Sequence, residues 1–327
     1  MRRIRVIGGG PAGASAAIAA LQERAEVDLF EKSRFPRHKV CGEFLSPEIA
    51  QVLDRLGVWG NIQAERPAVI RRLALYFRSR EKHSKLPETA FGLSRYRFDT
   101  LLFDEAVRMG ARVTRGAGET GTGPVVIAHG RKAAVLKGRR LFGFKAHFEG
   151  PPNDAVELYF FGGCYVGINP VEGGITNVCG LGPEDVLAPR GFEIDEVVRS
   201  FEPLRERLAP LARCMDWLRV GPLVYGNRFA VDVADDEYPA GDALQFVDPF
   251  TGSGLLSAVT AGRLAGIAAA RGTPSRDYVR ECRRRLEAPF QVSSFLRTAL
   301  ATGWAERLAT FIPGSWLVHL TRPHHVA

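Results

Sequence analysis

The stretch that decides the fold of this chain reads Ile4-Arg5-Val6-Ile7-Gly8-Gly9-Gly10-Pro11-Ala12-Gly13-Ala14-Ser15-Ala16-Ala17. Four mostly β-branched residues predict a strand, and the alanine-rich residues predict a helix with Pro11 in its first turn. In the Gly-x-Gly-x-x-Gly turn between them, Gly8 permits a tight bend, Gly10 lets a pyrophosphate approach the backbone, and Gly13 lets helix and strand pack closely. The N-terminus of the helix would then offer free N–H groups to an anion.

A second predicted strand, Glu26-Val27-Asp28-Leu29-Phe30-Glu31, ends in a carboxylate 18 residues after Gly13. The acid that binds ribose in a dinucleotide fold lies about 20 residues beyond the glycines. Glu31 can accept hydrogen bonds from both ribose hydroxyls, and its charge would repel a 2′-phosphate. The sequence therefore predicts a nucleotide-binding βαβ unit, with an ordinary glycine turn that binds no nucleotide as the alternative.

Composition predicts a globular protein of about two domains, because the chain has 327 residues with 46% hydrophobic and 24% charged residues. No apolar run reaches about 18 residues, and a strand begins almost at the N-terminus, so we expect neither a membrane span nor a signal peptide but a cytoplasmic protein. The cysteines are Cys41, Cys164, Cys179, Cys214 and Cys282. Their scatter predicts neither a disulfide framework nor a metal site.

The formal net charge of +8 is spread over short clusters that are not interleaved with stacking aromatic residues. We therefore expect no nucleic-acid partner. A solvated basic surface is the favoured interpretation. Attraction of NADPH, of a diphosphate-bearing substrate or of an anionic membrane face remains open.

A second glycine-rich turn follows Gly241-Asp242, in the stretch Asp248-Pro249-Phe250-Thr251-Gly252-Ser253-Gly254. It precedes a long alanine-rich helix, predicted to reach about Ala270. Its free N–H groups could bind a second anionic or polar group, and Asp242 could accept a hydrogen bond from a hydroxyl.

An antiparallel sheet is predicted between Phe142 and Leu181, where the hydrophobic period changes from that of a helix to that of a strand. An earlier strand is expected over Leu73 to Phe77, followed by a polar turn over Arg78 to Pro87. The aromatic residues of the sheet could line an apolar pocket or simply form its core.

Together these motifs resemble the group A flavoprotein superfamily, which includes p-hydroxybenzoate hydroxylase, flavin-dependent halogenases and geranylgeranyl reductases. The resemblance covers nearly the whole chain and rests on Gly8-x-Gly10-x-x-Gly13, Glu31, Arg95-x-x-Phe98-Asp99, Gly241-Asp242 and Pro249-x-x-Gly252-x-Gly254. It implies that FAD is the cofactor. The residues that it assigns to FAD are Gly8, Gly10, Pro11, Ala12, Gly13, Glu31, Lys32, Arg37, Lys39, Cys41, Gly42, Arg95, Asp242, Pro249, Gly252 and Gly254.

The superfamily also implies an α/β architecture, with a Rossmann-like FAD-binding domain, an inserted antiparallel substrate sheet and a helical C-terminus. The predicted domains are a discontinuous FAD-binding domain (1–60, 91–133 and 225–275), a substrate domain (61–90 and 134–224) and a C-terminal helical segment (276–327). The C-terminal segment is expected to pack on the FAD-binding domain, or alternatively to contact a membrane surface peripherally.

Two loops bear on the reaction. Cys41-Gly42 resembles the cysteine-glycine loop of geranylgeranyl reductases, whereas a small buried cysteine is the alternative. The segment Tyr165-Val166-Gly167-Ile168-Asn169-Pro170 occupies the place of their Tyr-x-Trp-x-Phe-Pro pocket motif, with Gly167 and Asn169 opening space. The Trp-x-Trp-x-Ile-Pro motif of halogenases is absent from the sequence, which counts against halogenation.

The resemblance implies a reductase that saturates a C=C bond of a hydrophobic or lipid-like substrate, with Cys41 as the proton donor. The alternatives are a monooxygenase that hydroxylates an aromatic or polyketide-like substrate through a C4a-hydroperoxyflavin, and a non-catalytic carrier of a hydrophobic ligand. Since the sequence has no second dinucleotide motif, NAD(P)H or an electron-donor protein is expected to bind only transiently.

Overall fold

Two β-sheets with packed helices make up the part of the chain that this computed structural model describes, namely residues 1–118, 121–131, 140–223, 233–245 and 252–286. In chain order the elements are β1 (Arg3–Ile7), α1 (Pro11–Gln22), β2 (Glu26–Glu31), β3 (Phe44–Leu45), α2 (Ile49–Arg55), α3 (Trp59–Ala64), β4 (Ala68–Tyr76), β5 (Glu81–Gly92), α4 (Arg95–Arg108), β6 (Arg112–Arg115), β7 (Val125–Ile127), β8 (Leu141–Glu149), β9 (Ala155–Phe161), β10 (Cys164–Pro170), β11 (Ile175–Pro183), α5 (Glu184–Leu187), α6 (Ile194–Arg199), α7 (Glu202–Leu208), β12 (Ala212–Arg213), β13 (Leu218–Leu223), β14 (Glu237–Pro239) and α8 (Gly254–Arg271).

The first sheet has the strand order β14-β7-β1-β2-β6 over the described residues, and every neighbouring pair is parallel. Its central strands bury Ile4, Val6, Leu29 and Val126 completely. Because parallel strands share one carboxyl edge, the glycine turn after β1, the end of β2 and the segment after β14 meet at that edge. The predicted βαβ unit and the α/β class are confirmed.

Helices α1 and α8 pack backbone against backbone, which the sequence analysis missed. A methyl carbon on Gly262 would lie 2.1 Å from the Ala12 carbonyl oxygen, and one on Gly266 would lie 2.2 Å from that of Ala16. Glycine at these two positions of α8 therefore lets the helix approach the first turns of α1. The predicted end of α8 near Ala270 agrees with its observed end at Arg271.

We expect the Gly262→Ala substitution to destabilise the protein by about 3 kcal/mol, because the added methyl group must push two packed helices apart. Gly60→Ala is the matched control. Gly60 lies in α3, is exposed and has open space around it among the described residues. Alanine there should stabilise by about 0.5–1 kcal/mol. Urea unfolding followed by circular dichroism measures both changes, and an unchanged midpoint for Gly262→Ala would contradict the close packing.

The second sheet has the order β12-β8-β11-β10-β9-β4-β5-β3 in the described part of the chain, with β13 also paired to β8. Its pairs are antiparallel as predicted, except that β4 and β9 are parallel. The predicted turn over Arg78 to Pro87 is wrong from Glu81 onward, where the chain forms β5. β5 pairs with β4 over most of its length. Along the start of β5, exposed and half-buried side chains alternate, and a strand with such partial exposure tolerates a polar sequence.

The two faces of the second sheet differ. One face packs on α6 and α7 through a core that includes Phe144, Tyr159, Val197, Phe201 and Leu204, so many of the sheet's aromatic residues are core residues. Since side chains alternate along a strand, the residues between them project from the opposite face. That second face turns toward the segment before β3.

The C-terminal segment is described only as far as residue 286, and residues 275–286 are helical. Its predicted packing and its predicted membrane contact therefore lie mostly outside the described residues. Among the helices in the described ranges, none is long and apolar enough to cross a bilayer.

Candidate functional site

The glycine turn after β1 has the geometry that its three glycines predict. Gly8 has φ = +102°, and a methyl carbon on Gly13 would lie 1.7 Å from the Gly8 carbonyl oxygen. Gly10 is different, because no described atom lies within 4 Å of a methyl carbon placed there. The first and third glycines thus serve internal packing, while Gly10 leaves open space at the start of α1, beside Pro11 and Ala12.

Glu31 is almost completely buried at the edge of this turn. Its carboxylate accepts hydrogen bonds from the backbone N–H of Gly9 (2.7 Å) and of Ser33 (2.7 Å). Arg37 approaches the same carboxylate to 3.6 Å. Because each carboxylate oxygen can accept a second hydrogen bond, Glu31 can still bind a hydroxyl. Lys32, the next residue, is exposed.

Cationic side chains gather beside the turn. Arg37 donates to Ser33 Oγ (2.9 Å) and stacks over Phe35, 4.9 Å from its ring centre. Desolvation by the surrounding protein, together with the positive charges of Arg37 and Arg95, lowers the pKa of Lys39. A negatively charged ligand would relieve this crowding of positive charge.

Asp242 follows β14 and lies close to the first turn of α1. The preceding Gly241 has φ = +60°, and a methyl carbon on it would lie 3.0 Å from Ala12 Cβ. The surrounding protein raises the pKa of the Asp242 carboxyl, whereas the charges of Arg95, Arg131 and Lys39 oppose that rise. The fold therefore brings together the predicted residues Asp242, Lys39 and Arg95, although they come from three separate segments.

The second glycine turn contacts the segment that contains Cys41. Gly252 has φ = +62°, and a methyl carbon there would lie 2.8 Å from the ring of Phe44, which begins β3. Gly254 begins α8 and has open space beside it within the described ranges. Pro249 lies outside the described residues.

Residues Cys41 and Gly42 form a loop, here called the cysteine loop, that is fixed on both sides. Asn177 of β11 donates from Nδ2 to the carbonyl oxygens of Cys41 (3.2 Å) and Gly42 (2.9 Å). The half-buried Cys41 thiol accepts the Glu43 N–H at 3.4 Å and also interacts with the Arg95 guanidinium. Since Arg95 forms a two-pronged ion pair with Asp99 (2.5 and 2.8 Å), its position is fixed.

Beneath the cysteine loop lies a buried charge cluster that the sequence analysis missed. Glu43 is fully buried and accepts hydrogen bonds from Lys145 Nζ, from His147 Nε2 (2.7 Å) and from the Arg95 backbone N–H (2.6 Å). Burial raises the pKa of Glu43, but His147 and Lys145 outweigh it, so the net pKa is lowered. The His38 ring lies 5.1 Å from that of His147, and burial lowers the pKa of His38. The available signal was the polar pair Lys145-x-His147 at strand spacing within an apolar strand.

This cluster predicts a loss of stability in acid. A carboxyl group whose pKa is lower in the folded state stabilises the fold above its ordinary pKa, and this contribution disappears as the pH falls through the lowered value. We expect urea midpoints to fall between pH 6 and pH 3. The fall should be smaller in the double variant Glu43→Gln/Lys145→Met, which has neither charge. Equal pH dependence in the two proteins would contradict an ionised Glu43.

The predicted substrate residues of β10 lie beside the cysteine loop. The strand register places Gly167 opposite Cys179 and Asn169 opposite Asn177, on the face that Asn177 presents to the loop. Pro170 lies directly against β5. A methyl carbon on Gly92 of β5 would lie only 1.8 Å from the Pro170 carbonyl oxygen. Gly92 in turn pairs with Phe44.

An apolar cluster continues this face of the sheet beyond Gly167. Leu158 is paired with Gly167, and Tyr165 is paired with Phe160. The cluster, here called the apolar trough, consists of Leu73, Leu75, Phe77, Leu86, Val156, Leu158 and Phe160. Leu73 and Leu75 are buried and the other five side chains are only partly buried, so the trough retains exposed apolar surface next to the predicted pocket.

The donor set fits FAD. Within the described ranges, two buried polar groups near the predicted cofactor residues lack hydrogen-bond partners, namely Arg37 Nε and both polar atoms of the Gln245 side chain. Such groups are costly without a ligand. An open helix N-terminus, converging cations and two carboxylates suit a diphosphate and its ribose.

No protein-family model matches the chain. It is 28% identical to digeranylgeranylglycerophospholipid reductase 2 of Methanopyrus kandleri over 328 residues, covering 83% of this chain and 78% of the relative. It is 42% identical to tryptophan 2-halogenase of Chondromyces crocatus over 62 residues, 19% of this chain and only 12% of that relative. Its fold resembles that of the flavin-dependent brominase Bmp2, with a TM-score of 0.81 and 18% identity over 97% of this chain and 92% of the other.

Proposed function

We propose that this chain, whose sequence and fold resemble those of the group A flavoprotein superfamily of FAD-dependent enzymes, reduces a C=C bond of a hydrophobic or lipid-like substrate. The observation that carries the proposal is the half-buried Cys41 thiol, in a loop whose backbone is bound by Asn177 on the sheet face that leads to the apolar trough and which is followed by Phe44, a neighbour of the second glycine turn. Reduction needs both a hydride donor and a proton donor, and Cys41 could be the proton donor.

The chain's own residues would hold FAD at the carboxyl edge of the parallel sheet. The diphosphate would bind at Gly10 and the first turn of α1, with Arg37 and Lys39 opposite. Glu31 and Asp242 would accept hydrogen bonds from cofactor hydroxyls. When bound and reduced, FAD supplies a hydride equivalent.

Proton delivery would come from the cysteine loop. An ordinary thiol is protonated at neutral pH and can act as an acid. When one alkene carbon gains hydride, the S–H bond of Cys41 would break and its proton would pass to the other carbon. The thiolate left behind would be stabilised by the Glu43 N–H and by Arg95, and solvent would return the proton.

The apolar trough supports a hydrophobic substrate. Its partly exposed side chains lie on the same face as Gly167 and Asn169, where a bulkier pocket motif would fill space. Burying apolar surface there would stabilise the complex by about 25 cal/mol per Å². The 28% identical relative is named as a lipid reductase, which agrees with this class of substrate.

Oxygen-dependent chemistry, hydroxylation or halogenation, is the second candidate, because the fold also resembles that of a brominase. One fold can support several reactions, so the likeness does not choose between them. The absence of Trp-x-Trp-x-Ile-Pro from the sequence favours the reductase.

Anaerobic turnover tests the choice. The FAD-loaded protein, reduced with dithionite, would be incubated with polyprenyl diphosphates, polyprenyl quinones and unsaturated isoprenoid lipids, and the products analysed by mass spectrometry. We expect products that have gained two hydrogen atoms per double bond without oxygen. Products that form only with oxygen and carry an added oxygen or halogen atom would overturn the reductase proposal.

The electron donor is proposed to be NAD(P)H or a partner protein that binds transiently. Bleaching of flavin absorbance on addition of NADPH or NADH under nitrogen would support a nicotinamide donor. No bleaching with either would leave a protein donor as the remaining form of this proposal.

A further inference from the structure

Glu43 has a backbone conformation that residues other than glycine rarely adopt. Its φ is +54°, in the left-handed region. Such a conformation persists only where the surroundings fix it, and it is often found at functional sites. Glu43 directly follows the cysteine loop and precedes β3, so its backbone determines the direction in which the chain passes from the loop into β3.

The carboxylate of Glu43 provides the contacts that fix this conformation. It joins Lys145 and His147 of β8 to the backbone N–H of Arg95, which begins α4. Both Glu43 and Lys145 are completely buried. A buried charge is stable only when it is paired and hydrogen-bonded. The contacts that join the cysteine loop to β8 and α4 therefore depend on the negative charge of the Glu43 carboxylate.

Two groups that contact the Cys41 thiol depend on Glu43. One is the Glu43 N–H, which donates to the sulfur at 3.4 Å. The other is Arg95, whose guanidinium interacts with the thiol and whose backbone donates to the Glu43 carboxylate. The Glu43 carbonyl also accepts the Leu93 N–H at 3.1 Å, which connects the turn to the residues just before α4.

We propose that the Glu43 carboxylate is a positioning residue, which sets the orientation of the Cys41 thiol through its own backbone N–H and through Arg95. The structural part of this proposal stands on the contacts alone. Its consequence for proton delivery rests on the proposed reductase function.

A metal centre is the competing interpretation of the same cluster. Ligand atoms of His38, Glu43 and His147 lie within 4.8 Å of one another, and His38 Nδ1 has no hydrogen-bond partner among the described residues. However, the Lys145 ammonium group already contacts Glu43 and supplies the positive charge that a metal ion would bring. A divalent cation would be repelled by Lys145, so the geometry favours an internal ion pair.

Hydrogen–deuterium exchange of the FAD-free protein tests the structural part. The main variant is Glu43→Gln/Lys145→Met, which removes both buried charges and so avoids leaving Lys145 unpaired. We expect the amides of residues 43, 93 and 95 to exchange at least about tenfold faster, because their hydrogen bonds run through the turn or the carboxylate. In Glu43→Gly/Lys145→Met, in which glycine favours positive φ and no buried ammonium group is left unpaired, only residue 95 should lose this protection.

The matched control is Glu157→Gln/Arg207→Met. It removes another ion pair, with a 3.0 Å separation between a buried Glu157 and a partly buried Arg207, on the opposite face of the sheet. Exchange at residues 43, 93 and 95 should then match the parent protein. Unchanged exchange in the Glu43 variants, or protection that rises when zinc or ferrous ion is added to the parent protein, would overturn the proposal.

Steady-state kinetics test the consequence for the reaction. With Cys41 misoriented and the trough unaltered, the main variant should lower kcat at least about tenfold with KM within twofold of the parent value. A KM change alone would overturn a positioning role. If the parent protein reduces no substrate, the proposed function fails while the exchange result still decides the structural role of Glu43.

Discussion

Replacing Gly13 with alanine is expected to destabilise the protein by more than about 4 kcal/mol, close to the whole stability of many domains. The added methyl carbon would lie 1.7 Å from the Gly8 carbonyl oxygen, inside the contact between α1 and β1. Neither partner can move easily, because β1 is the central strand of its sheet and α1 also packs closely on α8. Circular dichroism at rising urea concentration measures the loss.

The control for Gly13→Ala lies three residues earlier. Gly10→Ala adds the same methyl group to the same turn, where it meets no described atom within 4 Å. Its urea midpoint should be close to that of the parent protein. Equal stability of the two variants would contradict the described packing of the turn.

Replacing Cys41 with alanine is expected to lower the rate of C=C reduction by about 10²- to 10⁴-fold, the usual contribution of a general acid. FAD affinity should remain within about twofold, because the cysteine loop is also held by Asn177 through backbone carbonyl oxygens that alanine keeps. Anaerobic single-turnover measurements with the FAD-loaded variant give the rate, and flavin fluorescence gives the affinity.

Cys214→Ala is the control for this substitution, because Cys214 is an exposed free thiol, and its backbone N–H, which alanine keeps, donates to the His147 carbonyl oxygen. Its rate should equal that of the parent protein. If Cys41→Ala reduces substrate at the parent rate, Cys41 is not the proton donor, and a water molecule or another acid must take that role.

The nucleotide-binding edge of the fold could be predicted from sequence because its signals are local. A strand, a glycine turn and a helix follow one another between Arg3 and Gln22, and the acid at the end of β2 follows at the expected spacing. In contrast, the start of β5 was missed because it pairs with β4 and lies beyond the two β5 residues that pair with β3, so it tolerates charged residues at positions where a central strand would be apolar. The parallel pairing of β4 and β9 joins segments about 80 residues apart and has no local signature.

The buried cluster beneath the cysteine loop was not predictable for a similar reason. Glu43 and Lys145 are separated by 102 positions, and each alone resembles a surface residue. Only the strand register places Lys145 and His147 on the face turned toward the loop. The resemblance to known flavoproteins identified Cys41 and Gly42, but not the ionic contacts below them.

We propose that the turn at Gly10 holds the diphosphate of FAD, and a flavin titration tests this most directly. Purified, FAD-free parent protein and Gly10→Ala would each be titrated with FAD while flavin fluorescence is recorded. We predict that the parent protein binds one FAD per chain, and that Gly10→Ala, folded and equally stable, binds it at least about tenfold more weakly because its methyl group occupies the space of the phosphate. Equal affinity of the two proteins, or no flavin binding by the parent protein, would contradict this mode of FAD binding.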